Sequence, residues 1–261
     1  MEVLRTLHEN GHQIGYDVGA VNWPNEEGAR FPKSMLSSGV WVGDIPVEKA
    51  WGLADIFDSS VTVKSELERL GFLGKVPCSH ADDGYPLGAH FELHIEQGPV
   101  LQENRKRIGV VQGAQAYRWF TFTVTGQDAH TGTTPLQMRR DPVLEAARMI
   151  AAPSDTAKNF NGLASTGVLK IPPGSSTNTI ASGVSFSLDI RHPDDEVVTR
   201  MQDEILASFE RISGEDGRGV ELSWTLDTDS PIVKFHPDCI GGVARAADRL
   251  AGPDGLMPIT S

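Results

Sequence analysis

Cysteine is almost missing from this chain. Cys78 and Cys239 are the only two among 261 residues, too few for a disulfide framework, which points to a reducing compartment with the cytoplasm as the default. The pair is also too far apart for a CxxC zinc site. Positive charge is scarce as well: 23 Lys and Arg face 35 Asp and Glu, a net charge of −12. That balance opposes phosphate backbones and anionic membrane surfaces unless basic residues gather in a patch. The longest basic run is Arg105-Lys106-Arg107, so neither nucleic acid nor membrane is an expected partner. No stretch nears the roughly 18 apolar residues of a membrane span, and Met1-Glu2-Val3-Leu4-Arg5 lacks the apolar centre of a signal peptide. The 27 Gly and 16 Pro follow no period, which excludes collagen-like and low-complexity classes. With 39% hydrophobic residues, the chain is long enough for one or two globular domains.

Val3, Leu4 and Leu7 recur at helical spacing and predict an opening helix that ends near Gly11. The short apolar run from Val18 to Trp23 predicts a buried strand running into Pro24-Asn25-Glu26-Glu27-Gly28-Ala29-Arg30. From Pro46 to Gly71 the pattern is helical with breaks. Phe91-Glu92-Leu93-His94-Ile95-Glu96 alternates strictly and predicts a strand with His94 and Glu96 on one face.

Near Gly113 the texture changes. Residues 119–125, 185–191 and 221–227 alternate apolar with polar, as half-buried antiparallel strands do, and a fourth strand is expected over 163–171. Asp141-Pro142 is an N-cap followed by proline at the first helical position, and Asp194 to Glu196 open a second helix striped by Val197, Met201, Ile205, Phe209 and Ile212. A helix from Asp238 to Leu250 and a strand-like stretch over Leu256 to Ser261 follow. The expected fold class is therefore α/β, with residues 1–113 and 229–261 forming a partial α/β domain. Residues 114–228 are expected to insert an α+β module of a four-stranded antiparallel sheet and two helices. The α/β part is short of sheet neighbours, and the chain is expected to be a piece of a larger protein.

Several residues could carry chemistry. Glu26 and Glu27 are adjacent carboxylates at an expected strand end, where a cation would reconcile them, although paired Glu residues also make ordinary solvated turns. His94 offers an imidazole of the kind that ligates zinc, or a bland exposed histidine. His130 sits in Asp128-Ala129-His130-Thr131-Gly132, a turn suited to presenting its ring to a ligand or simply closing a hairpin. Asn178 lies in Ser175-Ser-Thr-Asn-Thr-Ile180. Arg191 falls on the polar face of its strand, where its fork could grip a carboxylate or a structural acid.

Taken in order, Asn-Glu-Glu-Gly-Ala-Arg-Phe, His-Ile-Glu-Gln-Gly-Pro, Asp-Ala-His-Thr-Gly-Thr-Thr-Pro, Met-Arg-Arg-Asp-Pro, Ser-Thr-Asn-Thr-Ile and Asp-Ile-Arg-His-Pro closely resemble the amidase, hydantoinase and carbamoylase branch of the M20 metallopeptidase family. That branch includes N-carbamoyl-L-amino acid hydrolases, β-ureidopropionases, allantoate amidohydrolases and ureidoglycolate amidohydrolases. The resemblance implies a zinc-binding catalytic domain with an inserted lid and dimerisation domain, and hydrolysis of non-peptide C–N bonds in N-carbamoyl or ureido acids. It implies Glu26 as general base, Glu27 and His94 as metal ligands, Gln97 beside the substrate, His130 as the group polarising the scissile carbonyl, and Asn178 with Arg191 as the holders of the substrate carboxylate. Two divalent ions are implied, zinc first, with Mn, Co or Ni as substitutes. A homodimer through the lid is implied too. Family members carry a His-x-Asp segment, a further bridging Asp and a distal histidine that no segment of this chain matches. A non-catalytic homologue that uses the module for assembly or small-ligand binding is the other reading.

Overall fold

The computed structural model describes residues 1–216 and 219–260 and divides the chain into two compact units, Met1–Glu92 and Leu93–Ser261. Ser261, placed by the sequence at the end of the last strand-like stretch, lies outside the described residues.

The first unit carries helices α1 (Glu2–Glu9), α2 (Leu36–Val42), α3 (Val47–Trp51) and α4 (Val63–Leu70). Its small core joins Phe31, Leu36, Ala50 and Val63, with Val40, Ile45, Leu53 and Leu67 packed around them. α4 starts where a capping box forms, the Thr62 hydroxyl accepting from Ser65 N–H and the Ser65 hydroxyl accepting from Thr62 N–H. It stops at Gly71, whose φ of 72° suits a residue without Cβ. The opening helix and the broken helical stretch up to Gly71 thus form where periodicity placed them.

Two expected strands do not form. Residues 18–23 and 91–96 are both irregular, and Leu93 is fully exposed. Alternation decides which face a side chain would take, but a strand exists only when a neighbour satisfies its backbone ladder. Among the described residues no segment pairs with either run.

The second unit carries α5 (Val100–Glu103), β1 (Ile108–Val111), β2 (Gly113–Ala114), β3 (Ala116–Thr125), β4 (Ala129–His130), α6 (Pro142–Phe160), β5 (Leu163–Ser165), β6 (Leu169–Lys170), β7 (Thr179–Ile180), β8 (Gly183–His192), α7 (Asp195–Arg211), β9 (Glu221–Ser230), β10 (Val233–Lys234), α8 (Pro237–Ala251) and β11 (Leu256–Ile259). Its main sheet is antiparallel in the order β5-β8-β3-β9, with β6 also pairing with β8. The expected fourth strand over 163–171 is therefore two pieces. They are separated where the Ser187 hydroxyl takes the N–H groups of Gly167 and Val168 out of the ladder. β1 and β11 make a parallel pair, Ile108 opposite Leu256 through Val111 opposite Ile259, with α8 against β1. Among the described residues it is the only parallel pair, so the fold is mixed α/β with most of its sheet antiparallel.

β3 and β8 pair along their full length, from Ala116 opposite His192 to Thr125 opposite Gly183. Phe120, Phe122, Val124, Val184, Phe186, Leu188 and Ile190 are buried, and α6 and α7 cover that face. α6 begins where Asp141 accepts from the N–H groups of Val143 and Leu144, both at 3.1 Å, and α7 where Asp194 does the same for Glu196 and Val197. α6 extends well beyond Ile150 and through Pro153. The missing donor there is offset by burial of Pro153, Thr156 and Ala157. On α7 the buried stripe is Val198, Met201, Ile205 and Phe209, with Val197 only partly covered. The Phe209 ring meets Phe122 edge-on at 4.9 Å, and Phe122 stacks on Phe186 at 5.3 Å. No helix among the described residues is long and apolar enough to cross a membrane.

An ion-pair network secures the segment that holds the paired glutamates. Arg30 donates to Asp55 and to Glu66 of α4, and Arg69 also donates to Glu66. Hydrogen bonds from Arg69 and then Arg30 bring the Glu66 carboxyl down from 4.5 to about 2. The Phe57 N–H and Arg30 hold Asp55 below the usual carboxylate range. A depressed folded-state pKa gives stability that is complete above the unfolded value and is lost as the folded group protonates.

Replacing Phe209 by Ala should cost about 3–5 kcal/mol in urea-denaturation stability, because the rings of Phe122 and Phe186 cannot close over the space it leaves. A loss below about 1 kcal/mol would place the core elsewhere. Stability of the first unit should fall as the pH drops from 4.5 towards about 2. The Arg30→Met variant should lose less over that window, measured by hydrogen exchange of residues 26–36 in both proteins.

Candidate active site

The loop bearing Glu26 and Glu27 is wrapped around Asn25. The Asn25 side chain donates to the carbonyls of Phe31 and Lys33 at 3.0 and 2.9 Å and accepts from Phe31 N–H at 3.2 Å. Asn25 itself takes a φ of 57°, which asparagine tolerates better than most residues. Glu26 C=O accepts from Met35 N–H at 2.6 Å. Gly28 has a φ of 68°, and a Cβ there would lie 2.7 Å from Ser34 N, so only glycine closes the turn. Anchored by Phe31 in the core and Arg30 on its ion pairs, the loop presents Glu26 half-buried and Glu27 exposed. Just before it, the Trp23 indole donates to His90 Nε2 at 3.3 Å.

His94 and Gln97 belong to the second unit, whereas Glu26 and Glu27 belong to the first. His94 Nδ1 lies 2.7 Å from Ile95 O. A carbonyl only accepts, so Nδ1 carries the proton and the lone pair of the neutral ring sits on Nε2, the arrangement of a metal-ligating histidine. Glu96, expected to share His94's face, instead caps α5 by accepting from Val100 and Leu101 N–H. Gln97 takes a φ of 56° at the turn into that helix. Among the described residues no group of three or more His, Cys, Asp or Glu side chains comes together to hold a metal ion. A catalytic zinc keeps three protein ligands, so the donors among the described residues do not by themselves fit that ion.

His130 and Asn178 are brought side by side. β4 pairs with β7, setting His130 opposite Thr179, and Thr131 N–H donates to Asn178 O at 2.9 Å. The preceding turn needs Gly126, where a Cβ would fall 2.3 Å from Arg140 O. Arg139 ties the loop down through the carbonyls of Thr131 and Thr134. Gly132 N–H donates to His130 Nδ1 at 3.0 Å, which leaves the proton of the neutral imidazole on Nε2. The Asn178 amide oxygen accepts from the Ser176 hydroxyl at 2.8 Å.

Arg191 lies on the sheet face opposite the helices, as alternation requires. Its fork already holds an acid: Nε donates to both Asp189 oxygens at 3.1 Å and Nη2 donates to Oδ2 at 2.8 Å. Its Cζ stands 5.1 Å from the centre of the Tyr117 ring. These contacts, the Asp189 hydrogen bond foremost, raise the guanidinium pKa. Asp189 was legible as the residue two positions before Arg191 on the same face. Tyr117 and the Asp55–Glu66 anchor carry no signal in the sequence, since each meets its partner only through tertiary pairing.

The chain matches the family described as peptidase family M20/M25/M40 over residues 1–261. It is 35% identical over 252 residues to an N-carbamoyl-L-amino-acid amidohydrolase of Rhizobium meliloti, covering 96% of this chain and 58% of that protein. It is 31% identical over 261 residues to the N-carbamoyl-L-amino acid amidohydrolase of Geobacillus stearothermophilus, covering 99% and 61%. A crystal structure of an amidase of the hydantoinase/carbamoylase family from Burkholderia vietnamiensis superposes with a TM-score of 0.88 at 37% identity, covering 100% of this chain and 61% of that one. The chain thus spans about three-fifths of the length of these proteins. Matched from its first residue to its last, it belongs to the M20/M25/M40 peptidase family.

Proposed function

We propose that these residues serve a metal-dependent hydrolase of non-peptide C–N bonds in linear amides, acting on N-carbamoyl or ureido acids in the cytoplasm. The observation that carries the reading is the His130 tautomer. With Nδ1 taken by Gly132 N–H, Nε2–H is the donor, and a donor is what the oxygen of a carbonyl under attack requires as charge builds on it. Asn178, held beside His130 by the β4–β7 pairing, supplies an amide to the same ligand. Arg191 supplies the charge that a substrate carboxylate seeks. Glu26 takes the proton of the attacking water and returns it to the departing nitrogen, and Gln97 lies along the substrate.

M20 enzymes are generally metal-dependent, and Glu27 and His94 are the two donors this chain would offer to zinc, or to Mn, Co or Ni. That no third donor joins them among the described residues is what favours the second reading, a non-catalytic homologue that binds small ligands or assembles through its module. Residues 114–228 are read as the lid and dimerisation domain, and 1–113 with 229–261 as the partial catalytic domain. The outer edge of β9 supports a homodimer: no strand pairs with it among the described residues, and Trp224 and Leu226 on it are each 44% exposed.

Titration with N-carbamoyl-L-alanine should show weak binding that Arg191→Ala reduces about tenfold or more, while two donors keep zinc-stimulated ammonia release near the uncatalysed rate. Absence of binding would refute the substrate class, and robust turnover would refute the two-donor account. In sedimentation, the Trp224→Glu and Leu226→Glu variants should shift a dimer to monomer; an unchanged dimer would place the interface elsewhere.

A further inference from the structure

A guanidinium has two edges on which it can grip a carboxylate side by side, the Nε/Nη2 edge and the Nη1/Nη2 end. In Arg191 the first is occupied, because Asp189 takes Nε and Nη2 together. One planar face is covered, because the Tyr117 ring sits 5.1 Å from Cζ. Nη1 makes no hydrogen bond among the described residues. The three residues are not gathered by chance of a surface rotamer: Tyr117 is the cross-strand partner of Arg191, and Asp189 precedes it by two on the same strand. Both therefore share its face by register. Trp119, the partner of Asp189, extends the platform with its ring 5.3 Å from that of Tyr117, and its buried indole N–H has no acceptor within the described structure.

We propose that Asp189 and Tyr117 are positioning residues for Arg191: they hold its guanidinium so that the Nη1/Nη2 end alone faces an incoming ligand carboxylate. This rests on the reading of Arg191 as the substrate-carboxylate anchor. A long arginine side chain ordered only on ligand arrival loses affinity to its own rotamer freedom, and one held on two sides beforehand does not. The arrangement also sets specificity. With one edge closed and one face stacked, the site takes a single carboxylate approaching end-on, and a neutral carboxamide, which offers one acceptor and one clashing NH₂, is rejected.

A rival account of the same geometry makes Asp189 a competitor that fills the fork until substrate displaces it. The two accounts differ in sign. The test measures binding of N-carbamoyl-L-alanine and of its carboxamide to the full chain and to Asp189→Asn, Tyr117→Ala, Tyr117→Phe and Arg191→Ala, with circular dichroism confirming the fold of each. The wild-type chain should prefer the acid by about tenfold or more. Asp189→Asn and Tyr117→Ala should reduce that preference at least about threefold with little change in carboxamide binding, whereas Tyr117→Phe, which keeps the ring, should retain it. A general structural role would weaken both ligands together. Tighter acid binding by Asp189→Asn would overturn the proposal in favour of competition, and wild-type discrimination in both position variants would overturn it outright. If the wild-type chain shows no preference and Arg191→Ala changes nothing, the anchor reading itself falls and takes the proposal with it. As an independent check, the Arg191 Nε–H resonance should be resolved and protected from exchange in the wild type and lost in Asp189→Asn; an unprotected wild-type signal would equally refute the assignment.

Discussion

The antiparallel register between β3 and β8 is the constraint on which the second unit depends. It sets Phe122 opposite Phe186 and Phe120 opposite Leu188 on the face that α6 and α7 cover, and by the same stroke sets Tyr117 opposite Arg191 and Trp119 opposite Asp189 on the other. Side chains alternate with a period of two, so a slip of one residue would send the phenylalanines to solvent and Arg191 into the core. Burial of the aromatic face therefore enforces the geometry of the polar face. Arg191 and Asp189 thus inherit their placement from the core on the opposite face of the sheet.

The first unit solves a similar problem with less. It has four short helices and a small apolar cluster, so the loop with Glu26 and Glu27 is fixed mainly by polar means: the Asn25 side chain threaded into the backbone of residues 31–33, and Arg30 clamped between Asp55 and Glu66. Such contacts are weaker than aromatic burial, and the Arg30 ion pairs are sensitive to pH, whereas the module around β3 and β8 is held by a continuous apolar core. The candidate residues of each unit are thus supported by different physics.

Much of this is legible in the amino-acid sequence. The caps at Asp141 and Asp194, the stripe on α7 and the alternating runs that became β3, β8 and β9 are local patterns that the native environment agrees with. The runs at 18–23 and 91–96 read just as clearly, yet they remain irregular because a strand pattern is only half of a strand and its partner is never encoded in the run itself. Leu163 to Ile171 broke for a local reason, the Ser187 hydroxyl bonding to Gly167 and Val168, which no hydropathy pattern reports. At the site, residue types were readable one by one. The adjacency of His130 and Asn178 came from two-residue strands too short to leave a periodic trace.

On the proposed reading, His130 supplies a donor for a carbonyl oxygen and Arg191 an anchor for a carboxylate. The most direct measurement is a crystal structure of the chain with N-carbamoyl-L-alanine bound. The ligand carboxylate should lie about 3 Å from Arg191 Nη1, with Asp189 still on Nε and His130 Nε2 on the carbamoyl oxygen. A ligand whose carboxylate has displaced Asp189, or that lies away from Arg191 altogether, would contradict it.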